Sequence, residues 1–247
     1  MFTFLKKIRK AGIENSRTRQ YLFYAVGEVV LVVVGILIAL QINNWNEWRK
    51  DRHQERVLLE GLYDNLNLNK ALLEERLTLY QRFNQSSQYV LSFVSGELLY
   101  SDTLDLHFHQ ARLRLTDSHL SKSGFESLKN AGFDLITNGD LQKEVINLFE
   151  NVYLDMQAFL SALSFHYDPD WQTFTAQHFS LKDSKDGPGM LTPHDLRSLR
   201  SSSYYQHQIT EVLGYREHTM SMQERCLEET QRVLELIRRE LDNIRTN

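Results

Sequence analysis

Few residues of this 247-residue chain have types and spacing that could do chemistry, and one of them sits inside an apolar run. Glu28 lies within residues 21–42, YLFYAVGEVVLVVVGILIALQI. An acid in a membrane span is expensive, so by default it marks function. On a helix, Tyr24, Glu28, Leu31, Gly35 and Ala39 fall on one face. Gly35 and Ala39 form a small-xxx-small pattern, which lets two helix backbones approach closely. Three readings follow. The stripe is a helix–helix contact, Glu28 is a protonated acid tolerated near the inner interface, or it carries protons as in the single-span partners of ion-driven motors. The shared face favours the first.

The other candidates are weaker. His107-x-His109 would offer two metal ligands on a strand, but on a helix the two side chains diverge by about 200°. No second His pair or Cys cluster completes a site. Asp168-Pro169-Asp170-Trp171 sets two acids around a proline. Paired acids do general acid–base work only in a cleft that raises a pKa, and a turn with a helix cap explains them better. Cys226 is the one cysteine, so no intrachain disulfide exists, and nothing nearby in sequence lowers its pKa. There is no Gly-rich phosphate loop and no nucleophile elbow. No catalytic residue, metal ligand or cofactor site is expected.

The elements that position Glu28 begin with the apolar run. Twenty-two residues at about 1.5 Å each span roughly 33 Å, enough for a bilayer core of about 30 Å. Fourteen Val, Ile, Leu or Phe residues contribute about −4 to −8 kcal/mol towards insertion, against about 2.5 to 3.5 for a central acid. A cleaved signal peptide has a shorter apolar region ending at a small-x-small site. The chain reads instead as a signal anchor. Residues 1–20 carry Lys6, Lys7, Arg9, Lys10, Arg17 and Arg19, while residues 43–60 carry Arg49, Lys50, Arg52 and Arg56. That contrast places the basic tail (1–20) in the cytoplasm, the transmembrane helix at 21–42 and residues 43–247 outside. Trp45 and Trp48, one turn apart, suit the outer interface as anchors.

Residues 43–247 hold 22 Lys and Arg against 30 Asp and Glu. An acidic soluble part argues against nucleic acid as a partner. Leu58, Leu62, Leu66, Leu73, Leu77, Tyr80 and Phe83 recur at helical spacing, so the membrane helix should continue outward to a stop at Ser95-Gly96. Shorter helices are expected at 103–115 and 124–131, the second with a Ser123-x-x-Glu126 capping box and a Gly132 stop. Asn138 should cap a helix whose inward face is Leu141, Val145, Leu148, Val152, Met156, Phe159 and Leu163. All three prolines fall in 166–203, expected to be loop with one short helix started by Thr192-Pro193. The last helix, 204–245, carries Leu227, Val233, Leu234, Ile237, Leu241 and Ile244. The fold class is all-α: one N-terminal transmembrane helix continuing into an extracytoplasmic antiparallel helical bundle.

The block YLFYAVGEVVLVVVGILIALQINNWNEWRKDR resembles the hallmark of an uncharacterised, domain-of-unknown-function family of bacterial single-span membrane proteins. The likeness is close from Tyr24 to Asn46. The stretch from Gly124-Phe125-Glu126-Ser127-Leu128 to Asn138 is similar to a weaker second block. The resemblance implies the bacterial inner membrane and brings no activity. The expected function is a non-enzymatic, membrane-anchored interaction or scaffold protein. Its expected partners are the membrane, and a second copy or another membrane protein through the span. The alternatives are a sensory subunit binding a small ligand in the outer bundle, a proton-linked subunit using Glu28, and an enzyme with a site in 166–203.

Overall fold

The computed structural model describes residues 16–114, 119–164, 169–182 and 189–246. Residues 1–15, with most of the basic tail, lie outside the described residues, as do Asp168 and the central part of the Pro188 loop. The described residues are 85% helical. It divides after Gln54 into two units.

One helix, α1, runs unbroken from Ser16 to Ser95. Gly61 does not interrupt it. The helix ends where the sequence predicts: Gly96 takes φ +90°, a conformation that favours glycine, and Leu98 N–H donates to Ser92 O at 3.0 Å to close the last turn. In the first unit, every residue of the most apolar window is solvent-facing.

In the second unit α1 has an inward face. Leu59, Leu62, Leu66, Leu73, Leu77, Tyr80 and Phe83 are buried. Leu59 takes the fully buried place and the expected Leu58 is only partly buried. The last helix, α8, spans Ser203–Thr246 and runs antiparallel to α1. Arg245 reaches Glu60 at 3.6 Å, Asn84 donates to Met220 Sδ at 3.3 Å, and Arg216 bonds Ser87.

Between them, α2 covers Leu104–Ala111, shorter than expected, and α3 covers Ser123–Ala131. The capping box at Ser123 does not form. Lys122 stands at the N-cap with no side-chain bond. Tertiary contacts fix this start instead. Asn69 on α1 clamps Ser121 by both backbone groups, donating to its O at 2.9 Å and accepting from its N at 2.8 Å. Gly124 sits so close to α1 that a Cβ would lie 2.8 Å from Leu62 Cα. Gly132, at φ +102°, ends α3 as expected.

A 3-10 turn, Phe133–Leu135, leads to α4, Gly139–Asn147. Asn138 caps α4 as the sequence predicts: its side chain accepts from the backbone N of Asp140 and Leu141, and its amide donates to Glu240 Oε2 at 2.9 Å. A π segment, Leu148–Val152, follows and passes into α5, Tyr153–Ser164. The extra residue in the π turn shifts the helical frame. Adjacent pairs, Leu148/Phe149 and Val152/Tyr153, are therefore both buried, and Leu160 rather than the expected Phe159 points inward.

The segment expected to be loop is ordered over most of its described length. It holds α6 (Pro169–His178), a two-stranded antiparallel hairpin of β1 (Phe179–Lys182) and β2 (Met190–Pro193), and α7 (Leu196–Ser201). Pro193 ends β2 and does not open a helix. Asp195 is the cap, accepting from Arg197 N and Ser198 N. Pro169 is the proline that starts a helix.

Two apolar cores result. The lower one joins α1 residues 59–73, α3 to α5 and the C-terminal half of α8. The upper one gathers Val90, Phe93, Phe108, Trp171, Phe179, Tyr205 and Ile209. Its rings are stacked closely: Trp171 lies 5.8 Å from Phe174 and 5.9 Å from Tyr205.

Candidate functional site

The residues singled out in the apolar run stay on the surface. Tyr24 is 79% and Leu31 73% exposed. Glu28 and Ala39 are exposed too, and a Cβ added at Gly35 would meet nothing within 4 Å. The stripe is thus an open face on which a second helix has room to approach. Trp45 and Trp48 are largely exposed, and Arg49 stands over the Trp45 ring at 5.4 Å. Next to the stripe, Val34, Leu37, Ile38, Gln41, Ile42 and Trp45 line an apolar groove.

The histidine pair separates on α2, as helical geometry requires. His107 Nδ1 lies 3.0 Å from Ser86 Oγ, and its ring is 4.7 Å from that of Tyr89. His109 packs instead against Gly189 of the hairpin. Burial holds both imidazoles below the usual histidine range, aided at His109 by Arg112. Among the described residues no three His, Cys, Asp or Glu side chains form a metal-ligating group. Cys226 is buried and donates to Val152 O at 3.7 Å. Burial pushes its thiol up to about 12, so at neutral pH the nucleophilic thiolate is scarce.

Two polar clusters were not read from the sequence. In the first, the Asp105 carboxylate, only 3% exposed, accepts from Tyr100 OH at 2.9 Å and from Thr192 Oγ1 at 2.5 Å, with Lys182 Nζ at 3.7 Å. It ties α2 to the hairpin. The second is a seam between α1 and α8, midway between the two cores. Arg216 is 2% exposed and has no carboxylate partner among the described residues. Its Nη2 donates to Ser87 Oγ and, at 2.8 Å, to Ala111 O. The guanidinium therefore caps the C-terminal end of α2, where the helix dipole favours a cation. Its Nη1 is buried with no partner. Burial draws the Arg216 pKa down to about 10 and raises that of neighbouring Tyr80 to about 12. Two turns on, Gln223 is fully buried with neither amide atom hydrogen-bonded.

A signal for this seam does exist in the sequence. Gln208, Val212, Arg216, Thr219, Gln223, Cys226 and Thr230 follow helical spacing along α8. All seven are buried. A stripe selected for apolar residues passes over them because five are polar or charged.

One family model matches this chain, and the match falls on α1. Residues 28–96 match DUF6090, a family of unknown function. The matched segment runs from Glu28 through the Trp45–Trp48 block to the Gly96 stop. It therefore covers the stripe from Glu28 onwards and the whole inward face of α1. The second resembling block, from Gly124 to Asn138, lies beyond the match and packs against it, through Gly124 on Leu62 and Asn65. No curated protein and no solved structure matches the chain.

Proposed function

We propose that this protein is a single-pass, membrane-anchored interaction protein of the bacterial inner membrane. Its N-terminus is cytoplasmic and its C-terminal domain, from residue 43, is periplasmic. The observation that carries this reading is the contrast along α1. Its apolar third is wholly exposed within the chain, while its outward continuation buries a regular apolar face. Exposed apolar surface on that scale calls for lipid or another helix. The stripe Tyr24, Glu28, Leu31, Gly35 and Ala39 serves as the contact face for a second copy or another membrane protein, with Glu28 as its polar member.

Cross-linked co-purification of the full chain from native membranes tests this. Specific co-purification of a membrane protein, or of a tagged second copy, is expected, and Gly35→Leu should reduce it. Recovery of the chain alone, at every cross-linker length, would contradict it.

One observation favours a second reading, a sensory subunit that binds a small ligand in its outer domain and acts through a membrane partner. The seam at Arg216 and Gln223 leaves buried hydrogen-bonding capacity unused, which lowers the cost of local opening relative to the apolar core below it. The proton-linked alternative rests on Glu28 alone. It predicts that Glu28→Gln, which keeps hydrogen bonding but cannot titrate, abolishes function while association persists.

A further inference from the structure

A pocket of about 330 Å3 opens beside the π segment, lined by His119, Leu120, Lys122, Tyr153, Met156 and Gln157. That volume falls within the small-molecule range of about 300–1,000 Å3. We propose that it binds a small organic anion, a carboxylate carried on a short apolar body. This rests on the sensory reading and gives the ligand its chemical class.

The floor is apolar and rigid. Met156 and Tyr153 are both almost fully buried, and Leu120 packs against the lower core. Tyr153 is the first residue after the π segment, and its OH lies 2.6 Å from Thr230 Oγ1. π segments are frequent at functional sites, because the extra residue re-aims side chains at the cost of a regular hydrogen-bond ladder. Here Tyr153 is turned inward beside Met156. Burial raises the Tyr153 phenol to about 12, so the floor stays neutral.

The rim supplies the charge. The Asn69 clamp on Ser121 fixes the backbone next to Lys122. Lys122 is half-buried and makes no ion pair with a described residue. Glu126, one turn on along α3, is exposed to solvent. Gln157 adds an amide donor at the same mouth, beside the His119 ring. An unengaged ammonium above an apolar floor selects a ligand with one negative end and one apolar end, because each part then finds its counterpart. A neutral isostere keeps the apolar contact and loses the charge-assisted one.

The test uses the full chain in lipid nanodiscs and three probes, benzoate, phenylacetate and hexanoate, each against its own amide. Binding is read by saturation-transfer NMR and calorimetry. Each carboxylate that binds should do so about tenfold more tightly than its amide, as a charge-assisted contact implies. Lys122→Gln should erase that preference while leaving helicity unchanged, and Met156→Trp should remove binding of both forms by filling the floor. Lys143→Gln, an exposed lysine on α4, should change nothing. If no carboxylate binds in a Lys122-dependent way, or if amides bind equally well, the assignment is wrong. Lys122-dependent binding that leaves the co-purified membrane partners unchanged would keep the site and remove the sensory reading.

Discussion

The α1–α8 pair is built in two ways along its length. Low on the pair, Leu62, Leu66 and Leu73 share one apolar core with Val233, Ile237 and Leu241. Higher up, Tyr80, Ser86 and Ser87 face Arg216, Thr219 and Gln223, all buried, with several polar atoms lacking partners. The same two helices thus go from a region where burial stabilises at every position to one where burial opposes hydrogen bonding. The lower region holds the fold. The upper seam sets the register of α8 against α1 and α2 through specific bonds.

The widest consequence is independence from the membrane. Because the lower core is complete without residues 21–42, a fragment of residues 43–247 should fold alone and give a strongly helical circular dichroism spectrum. A coil or strand spectrum would break the comparison at its root. Within that fragment, Leu66→Ala should cost about 2–5 kcal/mol in urea unfolding, the usual loss for a buried leucine. Gly124→Ala should cost about 1–3 kcal/mol, because its Cβ would meet the α1 backbone. In the upper seam the sign reverses. Gln223→Leu removes two unpaired buried atoms at similar volume, and should raise stability by up to about 1–2 kcal/mol. A Gln223→Leu loss as large as that of Leu66→Ala would erase the distinction between the regions.

The smallest effects come from pH. His107 and His109 have lowered pKa values in the fold, so the unfolded chain takes up protons first. Their contribution is present above the usual histidine value and is lost as pH falls below about 6.5. Tyr80, Tyr153 and Cys226 are raised to about 12. Their contribution is complete below about pH 8.5–10 and is lost as pH climbs from there towards 12. Thermal unfolding of the fragment between pH 5 and 11 should show both flanks. Replacing His107 and His109 by Asn should flatten only the acid one.

What could be read from the sequence follows the same division. The apolar run, the Gly96 and Gly132 stops, the Asn138 cap and the lower faces of α1 and α8 are local signals. Periodicity, glycine and capping chemistry act within a turn or two, so they survive without tertiary context. α3 starts within one residue of the expected position, but the Ser123 box does not form: Asn65 and Asn69, distant in sequence, hold this turn instead. The expected inward face holds through Met156, and Leu160 replaces Phe159 beyond the π turn, which leaves no mark in apolar spacing. The hairpin was missed because its strands are four residues each and are held to α2 through Asp105 and Thr192. The Arg216 seam was missed because its buried stripe is polar.

The proposal that organises all of this is the anchored orientation, with the basic tail inside and the two-core domain outside. Fusing a reporter active only in the cytoplasm after Asn247 tests it most directly. The fusion should fractionate with membranes and stay dark, while the same reporter fused ahead of Tyr21 should be bright. A membrane-bound fusion that is bright at the C-terminus would place the domain in the cytoplasm and contradict the orientation.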